Sequence, residues 1–291
     1  VSDRNKAFLA ILFGSLFGGA VTTVIKIGLV EIPPLTFSFL RFFIASIVLL
    51  PIVFKNKSVS VKKIKNLLPF TLFATLNVIL FILGIGFTTA TIGQLLYAGV
   101  PFLTGVITFL VFGDRLSSKK ILGIVVGFIG VAIVVLLPII EQNKQFSGNL
   151  VGNLLIVMGV ISWSLYMVFS KKLSKEHSPF VINSVFIFIT TLILLPFFIF
   201  EFAKESKWLT QLSLSGIISL SYVAIFGTVL NYLLNQYAIK HGGSVFASTS
   251  FYLLPIFAFL AAFVFLGERL TSGLFIGGVL ALFGIFLTTR K

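Results

Sequence analysis

Ten apolar stretches follow one another along this 291-residue chain, and very few folds can accept that pattern. They run roughly over 7–30, 35–54, 67–87, 91–112, 121–140, 149–170, 180–200, 212–236, 244–266 and 271–289. About 20 mostly apolar residues span a bilayer as a helix. Only Lys26 and Arg41 carry charge inside these stretches. Apolar residues run continuously instead of alternating, which predicts helices and not the strands of a membrane barrel. A soluble core of this size would need a polar shell. Charged residues make up only 10% of the chain, against about 25% in ordinary soluble domains. A soluble enzyme and a disordered chain are therefore excluded, and the lack of Cys excludes a disulfide-stapled secreted domain. The first stretch is too long for a cleaved signal peptide and has no small-residue cleavage site. The expected fold is an all-α integral membrane protein.

The formal net charge of +14 allows nucleic acid, an anionic surface or a topological signal as its explanation. Its distribution decides. With a cytoplasmic N-terminus, 16 basic residues fall in inside segments and 5 in outside segments (Lys26, Lys144, Lys204, Lys207 and Arg269). Short loops with that bias obey the positive-inside rule. The expectation is a multi-pass protein of the cytoplasmic (inner) membrane with both termini cytoplasmic. Its partners are the lipid bilayer and a small-molecule substrate, with no nucleic acid.

The sequence also repeats itself. Val100-Pro101 and Phe112 to Ser117 match Leu254-Pro255 and Leu266 to Thr271 at an offset of 154, as do Asn77 with Asn231, Gly123 with Gly277 and Gly130 with Gly284. Earlier, the offset is 145: Gly14 with Gly159, Lys26 with Lys171, Pro34 with Pro179, and Leu49 to Pro51 with Leu194 to Pro196. One nine-residue difference in length between the second and third spans of each half reconciles the two offsets. Five spans is an odd number, so the second copy enters the membrane from the opposite side. The prediction is ten transmembrane helices as two inverted five-helix repeats, 1–145 and 146–291, an architecture of secondary transporters with a midplane site.

These features resemble the drug/metabolite transporter superfamily, and within it the EamA-type transporters of ten helices. The resemblance rests on the tandem repeat, on the junctions Gly113 to Ser117 and Gly267 to Thr271, and on the run Lys26, Pro33-Pro34, Arg41-Phe42-Phe43-Ile44-Ala45. It departs at Asp114, where the family usually has Glu. It implies ATP-independent movement of a small metabolite, amino acid-like or similar and in the export direction, by alternating access. Uptake or exchange of another substrate class stays open beside it. A channel would need charged rings or a filter motif. An intramembrane lipid enzyme would need clustered His, Asp or Glu, whereas the two histidines, His177 and His241, lie in loops. No enzyme activity, cofactor or metal is expected.

Candidate site residues are polar or aromatic groups within spans. Arg41 lies seven residues past Pro34, about 10 Å along a helix. A charge there costs at least about 2.5 kcal/mol unless it faces a wet cavity or a partner. It is either an anion-binding group or a snorkelling one. Asn77, Gln94, Tyr97, Trp163, Tyr166, Asn231, Tyr232, Asn235, Ser248 and Tyr252 are the expected lining of a central cavity. Interhelical hydrogen bonding or packing is the alternative for each. Pro101 and Pro255 occupy equivalent places and are candidate hinges. Lys26 reads as snorkelling, and Asp114 and Glu268 as helix caps. Gly-x-x-x-Gly at 14/18, 123/127 and 273/277 reads as close helix packing. Dimerisation through the fifth and tenth spans is the alternative, so monomer and homodimer both stay open.

Overall fold

The computed structural model describes residues 3–141, 149–266 and 272–289, and all their regular structure is helical. The helices are α1 Asp3–Gly18, α2 Val21–Gly28, α3 Pro34–Asn56, α4 Val61–Phe87, α5 Ala90–Tyr97, α6 Val100–Phe112, α7 Ser118–Glu141 and α8 Leu150–Leu173. They continue with α9 Pro179–Lys204, the short α10 Trp208–Gln211, α11 Leu214–Tyr222, a π-helical stretch Val223–Leu230, α12 Asn231–Gly242, α13 Ser244–Ser248, α14 Ser250–Leu266 and α15 Ser272–Thr289. Among the described residues, seven helical stretches are long and apolar enough to cross a membrane: Asp3–Gly28, Pro34–Asn56, Val61–Phe87, Ile92–Phe112, Leu150–Leu173, Pro179–Lys204 and Leu214–Gly242. The apolar helices over Ser244–Ala258 and Phe275–Thr289 are shorter.

Burial is inverted relative to a soluble protein. Large apolar side chains such as Phe13, Leu16, Ile47, Leu192 and Phe275 are exposed, while Ser38, Arg41, Thr75, Asn77, Asn183 and Gln236 are buried. That is the arrangement a hydrocarbon solvent favours, because polar groups there find partners only inside the bundle. Ser46 Oγ meets Thr191 Oγ1 at 2.9 Å between α3 and α9, and Thr75 Oγ1 meets Thr190 Oγ1 at 2.7 Å between α4 and α9. Helices α4 and α8 touch backbone to backbone, since a methyl group on Gly84 would fall 2.8 Å from the Gly152 carbonyl. Helices α7 and α15 do so along Gly123, Gly127, Gly130 and Gly284. The glycine face of α7 is thus occupied by α15 within one chain.

Helix ends are stapled across the chain. Glu201, near the end of α9, accepts hydrogen bonds from Leu35 N at 3.3 Å, Thr36 N at 2.6 Å and Thr36 Oγ1 at 2.8 Å, and so caps α3. Replacing Glu201 by Ala is expected to destabilise the fold by about 1 kcal/mol through loss of the cap and of its charge at a helix N-terminus. Thermal unfolding in detergent measures this, and Glu201→Gln should recover part of it. Lys26 does not simply snorkel: its Nζ donates to the Thr88 carbonyl at 2.6 Å, where a cation satisfies the C-terminal end of α4. Lys171 does the same for the Lys240 carbonyl of α12 at 3.0 Å. The expectation for Asp114 is corrected. It stands exposed in the connection after Gly113, whose φ of 72° ends α6. The residue that caps α7 is Ser117, accepting from Lys120 N. Glu268, in the matching junction Gly267 to Thr271, lies outside the described residues.

Candidate substrate cavity

Three helix breaks and one widened turn meet in the interior. The α-helical hydrogen-bond ladder is interrupted by a tightened turn at Gly19-Ala20 between α1 and α2, at Ala98-Gly99 between α5 and α6, and at Thr249 between α13 and α14, with Ala20, Ala98, Gly99 and Thr249 all kept in the right-handed helical region. The fourth interruption is the π-helical stretch. Interrupted helices are tolerated at membrane depth only where protein or a water-filled cavity satisfies the freed backbone groups, and π turns often mark functional positions. Between them lies a cavity of about 110 Å³, well above the roughly 10–15 Å³ that admits one water molecule.

Eight of the sequence-derived candidates line it: Arg41, Asn77, Gln94, Tyr97, Trp163, Asn231, Tyr232 and Asn235. Pro255 lines it as well, from within α14. Asn77 Nδ2 donates to the Gly159 carbonyl at 2.8 Å and to the Tyr97 hydroxyl, which fixes that phenol at the wall. The Tyr97 ring lies 5.4 Å from Phe81 and 5.5 Å from Phe251. Opposite, Trp163 and Tyr232 rings are 5.5 Å apart. Arg41 is only 3% exposed, with its guanidinium carbon 4.9 Å from the Phe42 ring centre. The Tyr232 phenol is the polar group beside the guanidinium, with that of Tyr97 also within its field. Among the described residues no carboxylate pairs with Arg41. Arg41 Nε, Trp163 Nε1 and Asn235 Oδ1 are buried without hydrogen-bond partners. Two unpaired donors and one unpaired acceptor therefore stand among cavity-lining residues.

Three candidates do not line the cavity. Tyr166 lies behind Trp163, at 5.3 Å, against Phe186 at 5.5 Å. Ser248 is fully buried and returns its hydroxyl to the Val245 carbonyl. Tyr252 donates to the Ile124 carbonyl of α7 at 2.9 Å. The inward face of α14 is made by Ser250, Phe251, Leu254 and Pro255, and Ser248 and Tyr252, four residues apart, both lie off it. Pro101 is the second residue of α6, just past the Ala98-Gly99 break, and is outside the lining. Other wall residues missed from sequence include Ser15, whose hydroxyl donates to the Ser250 carbonyl at 3.1 Å, Thr22 and Phe81. Phe251 carried a usable signal, because the offset of 154 pairs it with Tyr97.

Away from the cavity, Glu31 in the connection between α2 and α3 accepts from Ser213 N at 2.8 Å and Ser213 Oγ at 2.6 Å. Those two donors hold its carboxyl below the ordinary glutamate range.

A bundle with apolar side chains outside, interrupted helices and an interior cavity that sets a few polar groups among apolar ones has the build of a multi-pass membrane transporter. The model of the EamA-like transporter family matches residues 5–136 and again 150–290, and the chain belongs to that family. It is similar to the uncharacterized transporter YyaM of Bacillus subtilis (strain 168), 26% identical over 290 residues that cover 96% of this chain and 92% of the relative. It is also similar to a probable amino-acid metabolite efflux pump of Salmonella typhimurium (strain LT2), 28% identical over 298 residues covering 98% and 95%. A solved crystal structure shares the fold, with a TM-score of 0.76 at 16% identity over 98% of this chain and 97% of the other.

Proposed function

We propose that the chain is a ten-helix secondary transporter, built as two inverted five-helix repeats over 1–145 and 146–291, that exports a small amino-acid-like metabolite by alternating access. The carrying observation is Arg41: buried, at the cavity wall, and without an anion beside it among the described residues. A guanidinium kept in that condition is matched by a ligand that brings the missing carboxylate. Trp163 Nε1 supplies a further donor for the anion, and Asn235 Oδ1 an acceptor for an ammonium group. The names of two relatives as probable amino-acid metabolite efflux pumps favour the same substrate class and direction.

Support for the inverted repeat comes from contacts between repeat counterparts. Ser46 and Thr191 are 145 apart in sequence and hydrogen-bonded. Tyr97 and Phe251 are 154 apart, with rings 5.5 Å from each other. A residue touching its own counterpart marks a two-fold axis. Off the axis, contacts come in exchanged pairs: Asn77 bonds Gly159, and Asn231 lies against Gly14. The orientation, with both termini in the cytoplasm and the Glu31 connection outside, follows from the positive-inside rule.

The test is purified protein in liposomes loaded with a panel of amino acids, nucleosides, sugars and cations, with and without a proton gradient. Flux of carboxylate-bearing zwitterions is expected. Absence of flux for the whole panel would sink the carrier reading.

A further inference from the structure

The two connections that precede the second and seventh spans are built alike. At the offset of 145, Lys26 corresponds to Lys171 and Pro34 to Pro179, and between them Glu31 corresponds to Glu176. The lysines make equivalent bonds, to the Thr88 carbonyl after α4 and to the Lys240 carbonyl of α12. The glutamates do not. Glu31 accepts from both the amide and the hydroxyl of Ser213, the residue that caps α11. The matching cap is Ser60, which precedes α4 and accepts from Lys63 N. Ser60 stands 17 residues before Asn77, and Ser213 stands 18 before Asn231. The π-helical stretch Val223–Leu230 takes up the extra residue. Glu176 and Ser60 are both exposed and are not hydrogen-bonded to each other. The same parts are present twice, joined on one face and apart on the other.

We propose that Glu176 and Ser60 form a second latch, made when the bundle closes on their face and the Glu31–Ser213 latch breaks. The inference rests on the inverted-repeat carrier reading above. Each latch joins a carboxylate to the N-terminal end of a helix in the other half, through charge-assisted bonds. Exchanging one latch for its counterpart leaves the number of such bonds unchanged, so the two conformations stay near balance, as a cycling carrier requires. One tie breaks the symmetry. The counterpart of Glu201, which holds Thr36 on the Glu31 face, is the neutral Asn56. The resting population is therefore biased toward the Glu31 face being closed, the state seen here.

The chain has no Cys, so introduced thiols report alone. The reporters are Val59→Cys with Lys175→Cys beside the second latch, and Val30→Cys with Gln211→Cys beside the first, cross-linked by a short bifunctional thiol reagent on the full chain in lipid nanodiscs. Glu31→Gln is expected to raise the 59–175 yield about five- to tenfold and to lower the 30–211 yield, by shifting the population between the two states. Ser213→Ala should act in the same direction with every charge kept, which covers failure of the first variant to fold. Glu176→Gln should lower the 59–175 yield, and the double variant should return both toward wild type. Folded Glu31→Gln and Ser213→Ala proteins with both yields unchanged would overturn the latch, as would a rise of the 59–175 yield in Glu176→Gln. Flux of the same variants reconstituted in liposomes separates the two readings: unresponsive cross-links with intact flux remove the latch and leave the carrier.

Discussion

Replacing Arg41 by Met is expected to abolish high-affinity substrate binding while raising the thermal stability of the empty protein. The two effects have one cause. Arg41 is buried at the cavity wall with Nε unpaired and no carboxylate beside it among the described residues. Removing one partner of a buried hydrogen-bonded charge pair costs about 2–5 kcal/mol, so affinity should fall roughly 30-fold or more. In the empty protein the same guanidinium is a buried charge with the Tyr232 phenol and the Phe42 ring beside it but no carboxylate among the described residues, and an apolar side chain of similar length relieves that penalty. Arg41→Lys keeps the charge but loses the planar fork, so an intermediate loss of affinity is expected. Titration calorimetry in detergent reads the affinity and thermal unfolding reads the stability. A merely structural Arg41 predicts the reverse, with Arg41→Met less stable and its affinity unchanged. Sites tuned for ligands often carry such a stability cost.

The parts of this fold that sequence reveals are those on which hydrocarbon imposes a penalty. Asn77, Asn231 and Arg41 stand out because each is costly in an apolar span unless it meets a partner or a cavity, and all three line one. The facing of a side chain is harder to read. Tyr252 and Phe251 are neighbours, but only Phe251 reaches the cavity, because adjacent residues of a helix point about 100° apart. A span that is apolar on every side carries no stripe from which the inward face could be read. Among 35 Phe residues, nothing local separates Phe81 from a lipid-facing ring. Glu201 and Glu31 look like ordinary loop acids in sequence, since the amides they cap lie 165 and 182 residues away. The repeat arithmetic recovers part of what local pattern loses: it links Phe251 to Tyr97 and Glu176 to Glu31.

Replacing Gly284 by Val is expected to prevent α7 and α15 from seating and to cost about 3 kcal/mol or more, at the upper end of overpacking penalties. A β-carbon at Gly284 would lie 2.4 Å from Gly127 N, 2.5 Å from Gly127 Cα and 2.6 Å from the Gly123 carbonyl oxygen. All three are backbone atoms of α7, so no side chain can turn aside and the helices must separate. Even Gly284→Ala should lower the unfolding temperature measurably. Gly278, on the same helix, is the control, because no atom of the described residues lies within 4 Å of a β-carbon built there. Gly278→Ala should be neutral or gain up to about 1 kcal/mol from helix propensity. The comparison removes propensity as an explanation, since both substitutions change it equally. It also separates packing within one chain from association between chains. If the glycine face joined two copies, Gly284→Val would yield a well-folded monomer with an unchanged unfolding temperature. Because Gly123 and Gly130 face α15 inside a single chain, the expected product is misfolded protein at any concentration, read as loss of the monodisperse peak on size exclusion.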